Sequence, residues 1–64
     1  MTNADKTDYL QSQISALEDE IWKLDANAKA LARAGLSERA EAIAKQAAEA
    51  KMLIDAFKEQ MVGL

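Results

Sequence analysis

Apolar residues recur at alternating intervals of three and four along nearly the whole chain, and this spacing is the strongest constraint on its fold. One seam runs through the first half of the chain and a second through the rest. Such heptad seams are typical of α-helices that pack lengthwise against another helix. The first seam comprises Leu10, Ile14, Leu17, Ile21, Leu24, Ala28 and Leu31, and the second comprises Leu36, Ala40, Ile43, Ala47, Ala50, Ile54, Phe57, Met61 and Leu64.

The three residues Gly35, Leu36 and Ser37 predict a turn between the two helices. Glycine ends helices in the left-handed conformation because it has no Cβ to clash there. We expect Leu36 to contact the last turn of the first helix and Ser37 to be the N-cap of the second. The alternative is one continuous helix, since a glycine inside a helix costs only about 1 kcal/mol.

Folding the chain at this turn brings the two seams into register. Seam residues at equal height then have numbers that sum to 71, as for Leu24 with Ala47. The four layers nearest the turn each pair a large residue with an alanine, which suits closely spaced helices. Along one edge, two acids of the first helix are expected to face two lysines of the second: Glu18, Asp25, Lys51 and Lys58.

The predicted fold is all-α: an antiparallel two-helix hairpin, with helices over about 4–34 and 37–62, in a single domain over 1–64. A chain this short buries only about 60% of its unfolded surface and is marginal as a monomer. The second helix is also apolar around more than one face, so one partner helix cannot cover it. We therefore expect two hairpins to pair as a four-helix bundle with two-fold symmetry. The candidate dimer-interface residues are Ala16, Ala30, Ala42, Leu53 and Ala56. The alternative is that these alanines are simply good surface helix formers.

Composition excludes several classes of function. The chain has no cysteine and no histidine, which excludes thiolate and imidazole metal sites and nucleophilic catalysis that depends on either residue. No pair of carboxylates has a pocket around it, so we expect neither an enzyme nor a cofactor. The first residues contain no apolar signal-type core and no stretch approaches a membrane span. We therefore expect a cytoplasmic protein.

Several side chains off the seams are candidate contacts for a partner protein: Trp22, Glu18, Asp19, Glu20, Tyr9 and Met52. Exposed tryptophan is a common binding hot spot. The alternative for Trp22 is that it lies over Ala44 and Ala48 or packs in the dimer interface. For Tyr9 and Met52 the alternative is structural filling or a dimer contact. The acidic run is either a solvated face or a surface that steers onto a basic partner.

The basic zone of this acidic chain, which has net charge −3, surrounds the turn and consists of Lys29, Arg33, Arg39 and Lys45. These residues are candidate phosphate contacts, but no aromatic stacking residue lies among them. The expected shape resembles the helical-hairpin homodimers of the plasmid copy-number control family, which bind paired RNA loops. The opening "MTNADKT" shares with that family's start only Met, Thr, Lys and Thr. The resemblance is therefore one of shape.

These features predict a small homodimeric protein that binds and modulates, most simply inhibits, another protein such as a regulator. Tiny, acidic helical proteins without cofactors are typical of phage and other mobile-element cargo. Two other functions stay open. One is a structural or assembly subunit of a larger complex, and the other is an RNA- or DNA-binding dimer that uses the basic zone.

Overall fold

The computed structural model describes residues 1–64 as two antiparallel α-helices that pack along their length. Helix α1 spans Asn3–Arg33 and helix α2 spans Ser37–Val62. The molecule measures 49 × 15 × 12 Å, and its radius of gyration is 14.9 Å, against about 11 Å for a compact domain of this length. The predicted hairpin is confirmed, with helix ends within one residue of those expected, and the single continuous helix is wrong.

Helix α1 begins with a reciprocal cap between Thr2 and Asp5. The Thr2 hydroxyl accepts a hydrogen bond from the Asp5 backbone N–H at 3.1 Å, and the Asp5 carboxylate accepts one from the Thr2 N–H at 3.2 Å. These bonds satisfy two of the N–H groups that a helix start leaves unpaired. The prediction of a start near residue 4 missed this cap, although a threonine followed three residues later by an acid signals it.

Helix α1 ends in a Schellman motif at Gly35. This glycine has φ +81°, in the left-handed region. The Gly35 N–H donates to the Ala32 carbonyl at 3.1 Å, and the Leu36 N–H donates to the Leu31 carbonyl at 2.9 Å. The two bonds satisfy carbonyls that would otherwise be unpaired at the helix end. The predicted stop at Gly35 is confirmed.

The predicted N-cap of α2, by contrast, is wrong. Ser37 already belongs to the helix, and the N-cap is Leu36, whose side chain makes no capping hydrogen bond. The Schellman motif explains the difference, because Leu36 completes this motif and stands directly before α2, which leaves Ser37 as the first residue inside the helix. The Leu36 carbonyl accepts the first hydrogen bond of α2 from the Ala40 N–H at 3.0 Å. Leu36 therefore takes part in the hydrogen bonds of both the end of α1 and the start of α2.

The core is a single line of side chains between the helices. Six of the 64 residues are buried, and all lie on the predicted seams: Leu10, Ile14, Leu24, Ala40, Ala47 and Ile54. The other eight seam residues between Leu10 and Leu31 and between Ala40 and Met61 are half-buried. The seam prediction is thus confirmed over these ranges. It is wrong at Leu36 and Leu64, which are 42% and 44% exposed, because one lies in the turn and the other beyond the end of α2.

Several large apolar side chains lie outside this core. Trp22 is 73% exposed, Met52 71%, Tyr9 56% and Leu53 47%. Single apolar residues are common on protein surfaces, so only their grouping with neighbours is informative. Neither helix combines the length and the apolar character that a membrane crossing requires.

Candidate functional site

A shallow groove beside the helix seam brings Trp22 together with charged side chains from both helices. We call it the Trp22 groove. Its floor is apolar, because Ile54 is buried and Ile21 is half-buried, and its two walls are charged. The residues that line it are Glu18, Ile21, Trp22, Asp25, Lys51, Ile54, Asp55 and Lys58.

The charges nearest the seam form one acidic row and one basic row, and a fifth charge, Asp55, lies between the two lysines along α2 but farther from the seam. Glu18 and Asp25 are seven residues apart on α1, and Lys51 and Lys58 are seven apart on α2. Seven residues are two helical turns, about 10.5 Å along the axis. The predicted placement of the acids on the edge that faces the lysines is confirmed. None of the four side-chain hydrogen bonds in the structure involves these residues or Asp55, so all five charged groups of the groove keep their capacity to bind a partner.

Trp22 lies at the rim of the groove with 73% of its surface exposed. The structure does not place it over Ala44 and Ala48, which are themselves exposed and do not line the groove. The direction of helical side chains gives the reason, since each Cα–Cβ bond tilts towards the helix N-terminus. Trp22 therefore shares its groove with Lys51 and Asp55, which lie closer to the open end of the hairpin.

The other candidate partner contacts lie apart from this groove. Asp19 and Glu20 are exposed but do not line it, so the acidic run contributes only Glu18. Consecutive residues of a helix point in different directions, which spreads a run of three around the axis. Met52 lines neither the groove nor any other hollow of the surface. Tyr9 lies at the open end of the hairpin.

That open end contains an apolar cavity that the sequence did not suggest. It is lined by Met1, Lys6, Tyr9, Leu10, Phe57, Gln60, Gly63 and Leu64. The Asn3 side-chain amide donates a hydrogen bond to the Leu64 carbonyl at 3.4 Å across this end. Lys6 and Phe57 were not predicted as neighbours of Tyr9. The register in which paired residue numbers sum to 71 was the available signal, because it places the start of α1 beside the end of α2.

No protein-family model, curated protein or solved structure matches this sequence. A functional interpretation therefore depends on the geometry of the hairpin.

Nowhere do three histidine, cysteine, aspartate or glutamate side chains converge in a group that could hold a metal ion.

The candidate dimer-interface residues lie on the edge of the hairpin opposite to the Trp22 groove. Counted around the helix from the seam, Ala16 and Ala30 fall on one side and Glu18 and Trp22 on the other. Ala42, Ala56 and Leu53 occupy the corresponding side of α2. All five are exposed, Leu53 by 47%. They form a second surface, separate from the groove.

The four basic residues around the turn are exposed and make no side-chain hydrogen bond: Lys29, Arg33, Arg39 and Lys45. Arg33 lies in the last turn of α1, where a positive charge complements the helix dipole. Arg39 borders a hollow at the turn together with Gly35 and Glu38. The four side chains do not line a common hollow, and Arg33 has a structural explanation.

Proposed function

We propose that the protein is a non-enzymatic interaction module that binds and modulates another protein through the Trp22 groove. The observation that carries this proposal is the 73% exposure of the Trp22 side chain, beside an apolar floor and between two charged rows. Tryptophan is enriched in binding hot spots because it buries a large apolar area and retains a polar N–H for specificity. An apolar centre with a charged rim is also the usual layout of a protein–protein interface.

Inhibition is the simplest consequence of such binding. A rod 49 Å long that lies on a partner's surface excludes other ligands from it. The net charge of −3 favours encounter with a partner whose surface is basic overall, such as a regulator that contacts nucleic acid. We propose a cytoplasmic regulator as the partner, and a phage or another mobile element as the source of the protein.

We also propose that two hairpins pair through the edge opposite to the groove, as a four-helix bundle. The supporting observation is the thin core, since six buried residues are few for a domain that has no disulfide. Pairing through Leu53 and the neighbouring alanines would cover apolar surface and leave both copies of the groove open. A dimer would thus present two partner sites on opposite outer faces.

The residues of this edge suggest how the two copies align. The numbers of Lys23 and Glu49 sum to 72, so these residues lie within one residue, about 1.5 Å, of equal height in the hairpin. The same holds two turns to either side, for Ala16 with Ala56 and for Ala30 with Ala42. If both turns lie at the same end of the dimer, α1 of one copy packs on α2 of the other. Each alanine then meets an alanine, and Lys23 meets the partner's Glu49.

The test of the proposed function is affinity capture from the native host's lysate, with mass spectrometry. Wild type is compared with Trp22→Ala and with Met52→Ala, which removes an equally exposed apolar side chain outside the groove. A protein captured by wild type and Met52→Ala but lost with Trp22→Ala, at unchanged helicity, is the expected result. Undiminished capture by Trp22→Ala would contradict the proposal. Capture of nothing but subunits of one assembly would favour a structural role instead.

A further inference from the structure

We infer that the Trp22 groove receives an α-helix of the partner protein. This helix has an apolar stripe, with a row of basic residues along one flank of the stripe and a row of acidic residues along the other. This inference rests on the proposed function and specifies the chemistry of the partner. It follows from the spacing of the two charged rows, from their signs and from the rest of the sequence.

The spacing of the rows matches a helix and not a strand. Glu18 and Asp25 are about 10.5 Å apart along α1, as are Lys51 and Lys58 along α2. A helix that lies in the groove presents residues of one flank at the same interval, because its own heptad repeat has the same rise. A strand presents same-face residues at intervals of about 7 Å and 13 Å, so its charges would not coincide with either row.

The signs of the rows determine which flanks the incoming helix needs. The wall formed by α1 is wholly acidic and calls for lysine or arginine. The wall formed by α2 calls for aspartate or glutamate, because its two lysines outnumber Asp55 and lie nearer the seam. Reversing the direction of a bound helix exchanges its two flanks. Because the rows have opposite signs, each flank faces charges of the opposite sign in only one of the two directions. The apolar stripe of that helix would pack on Ile21, Ile54 and the indole of Trp22.

A second copy of this chain cannot supply such a helix. Among all acidic residues of the sequence, only Glu18 and Asp25 are seven apart, and among all basic residues only Lys51 and Lys58 are. Both pairs already form the walls of the groove, and they lie on different helices. No single helix of the chain carries one row of each sign, so the occupant is a different protein.

The inference is tested with a library of four-heptad helical peptides displayed on yeast. The apolar stripe is constant, and each flank carries lysine, glutamate or glutamine throughout. Selection on the purified wild-type protein is expected to enrich peptides with one lysine flank and one glutamate flank by about tenfold over peptides with both flanks alike, which is the scale of a few exposed ion pairs. Trp22→Ala should abolish the enrichment.

The double variant Lys51→Glu/Lys58→Glu makes both walls acidic and should move the preference to peptides with lysine on both flanks. The matched control is Lys6→Glu/Lys45→Glu, which changes the net charge equally at two exposed lysines outside the groove and should leave the preference unchanged. Circular dichroism checks that each variant stays helical. Three results would overturn the inference. The first is no enrichment of any peptide, the second is enrichment that does not depend on flank charge, and the third is a preference that the two double variants change in the same way.

The outcome can be separated from that of the proposed function. If a native partner is captured through Trp22 but the library shows no preference for mixed flanks, the proposed function stands and the inferred helix chemistry is wrong. If capture does not depend on Trp22, both are wrong.

Discussion

The backbone N–H of Leu36 donates to the carbonyl of Leu31 at 2.9 Å, and this bond joins the end of α1 to the beginning of α2. The carbonyl of the same leucine accepts the first hydrogen bond of the second helix. Every residue of the turn therefore takes part in the hydrogen bonds of a helix end, and the turn determines which seam residues of the two helices face each other. A change in the turn should propagate to every layer of the hairpin.

The left-handed backbone at Gly35 leads to the first prediction. Gly35→Ala should lower the free energy of unfolding by about 1 kcal/mol, because a Cβ disfavours a positive φ. No atom lies within 4 Å of the added Cβ, so the cost arises from the backbone alone. Gly63→Ala is the matched control, since its Cβ would make an ordinary contact at 3.6 Å. Urea denaturation followed by circular dichroism measures both, and equal losses would contradict the prediction.

The two helix starts should respond differently to loss of a hydroxyl. Thr2→Ala removes the capping bond to the Asp5 N–H and should cost about 1 kcal/mol of stability. Ser37→Ala should cost little, because Ser37 caps nothing and alanine is the better helix former. Thermal denaturation of the two variants side by side gives the comparison. A loss for Ser37→Ala as large as that for Thr2→Ala would show that Ser37 does cap α2.

The hairpin itself was predictable because heptad spacing and a glycine turn act through local rules that the sequence displays directly. The N-cap of α2 was not predictable in this way. The preference of serine for N-cap positions favours Ser37, while the path of the backbone through the Schellman motif selects Leu36. The charged rows of the groove followed from heptad spacing. The neighbours of Trp22 did not follow from that spacing, because the tilt of its side chain towards the N-terminus of α1 moves its contacts along α2 towards the open end of the hairpin. The open-end cavity was missed because the register places the start of α1 beside the end of α2 but does not indicate which side chains leave a hollow there.

The thin core predicts a large penalty for a single truncation. Leu24 is 8% exposed, and Leu24→Ala should cost at least about 2 kcal/mol, enough to unfold much of so small a domain. Met52→Ala, at a side chain that is 71% exposed, should change stability by less than about 0.5 kcal/mol. Denaturant titration of both variants measures the difference. Similar stabilities would contradict the location of the core.

The basic zone around the turn predicts weak nucleic-acid binding at most. Its four side chains line no common hollow, and the chain as a whole is acidic. Fluorescence anisotropy with a labelled RNA hairpin or DNA duplex should therefore show no binding in about 0.15 M salt, where polyanion contacts are screened. Tight binding that disappears in Arg33→Glu/Arg39→Glu would instead identify the protein as a nucleic-acid-binding dimer.

The proposed dimer predicts a charge swap between Lys23 and Glu49. Either reversal alone, Lys23→Glu or Glu49→Lys, should weaken self-association about tenfold, because each copy of the changed residue would face a like charge in the other subunit. The double variant should restore association, since it exchanges the two members of the pair. Sedimentation equilibrium measures the dissociation constants. Spin labels attached at Ser37→Cys should lie close together if both turns are at one end, and several tens of ångströms apart in a molecule 49 Å long if they are at opposite ends. A monomer at all concentrations, or distant labels, would contradict this arrangement.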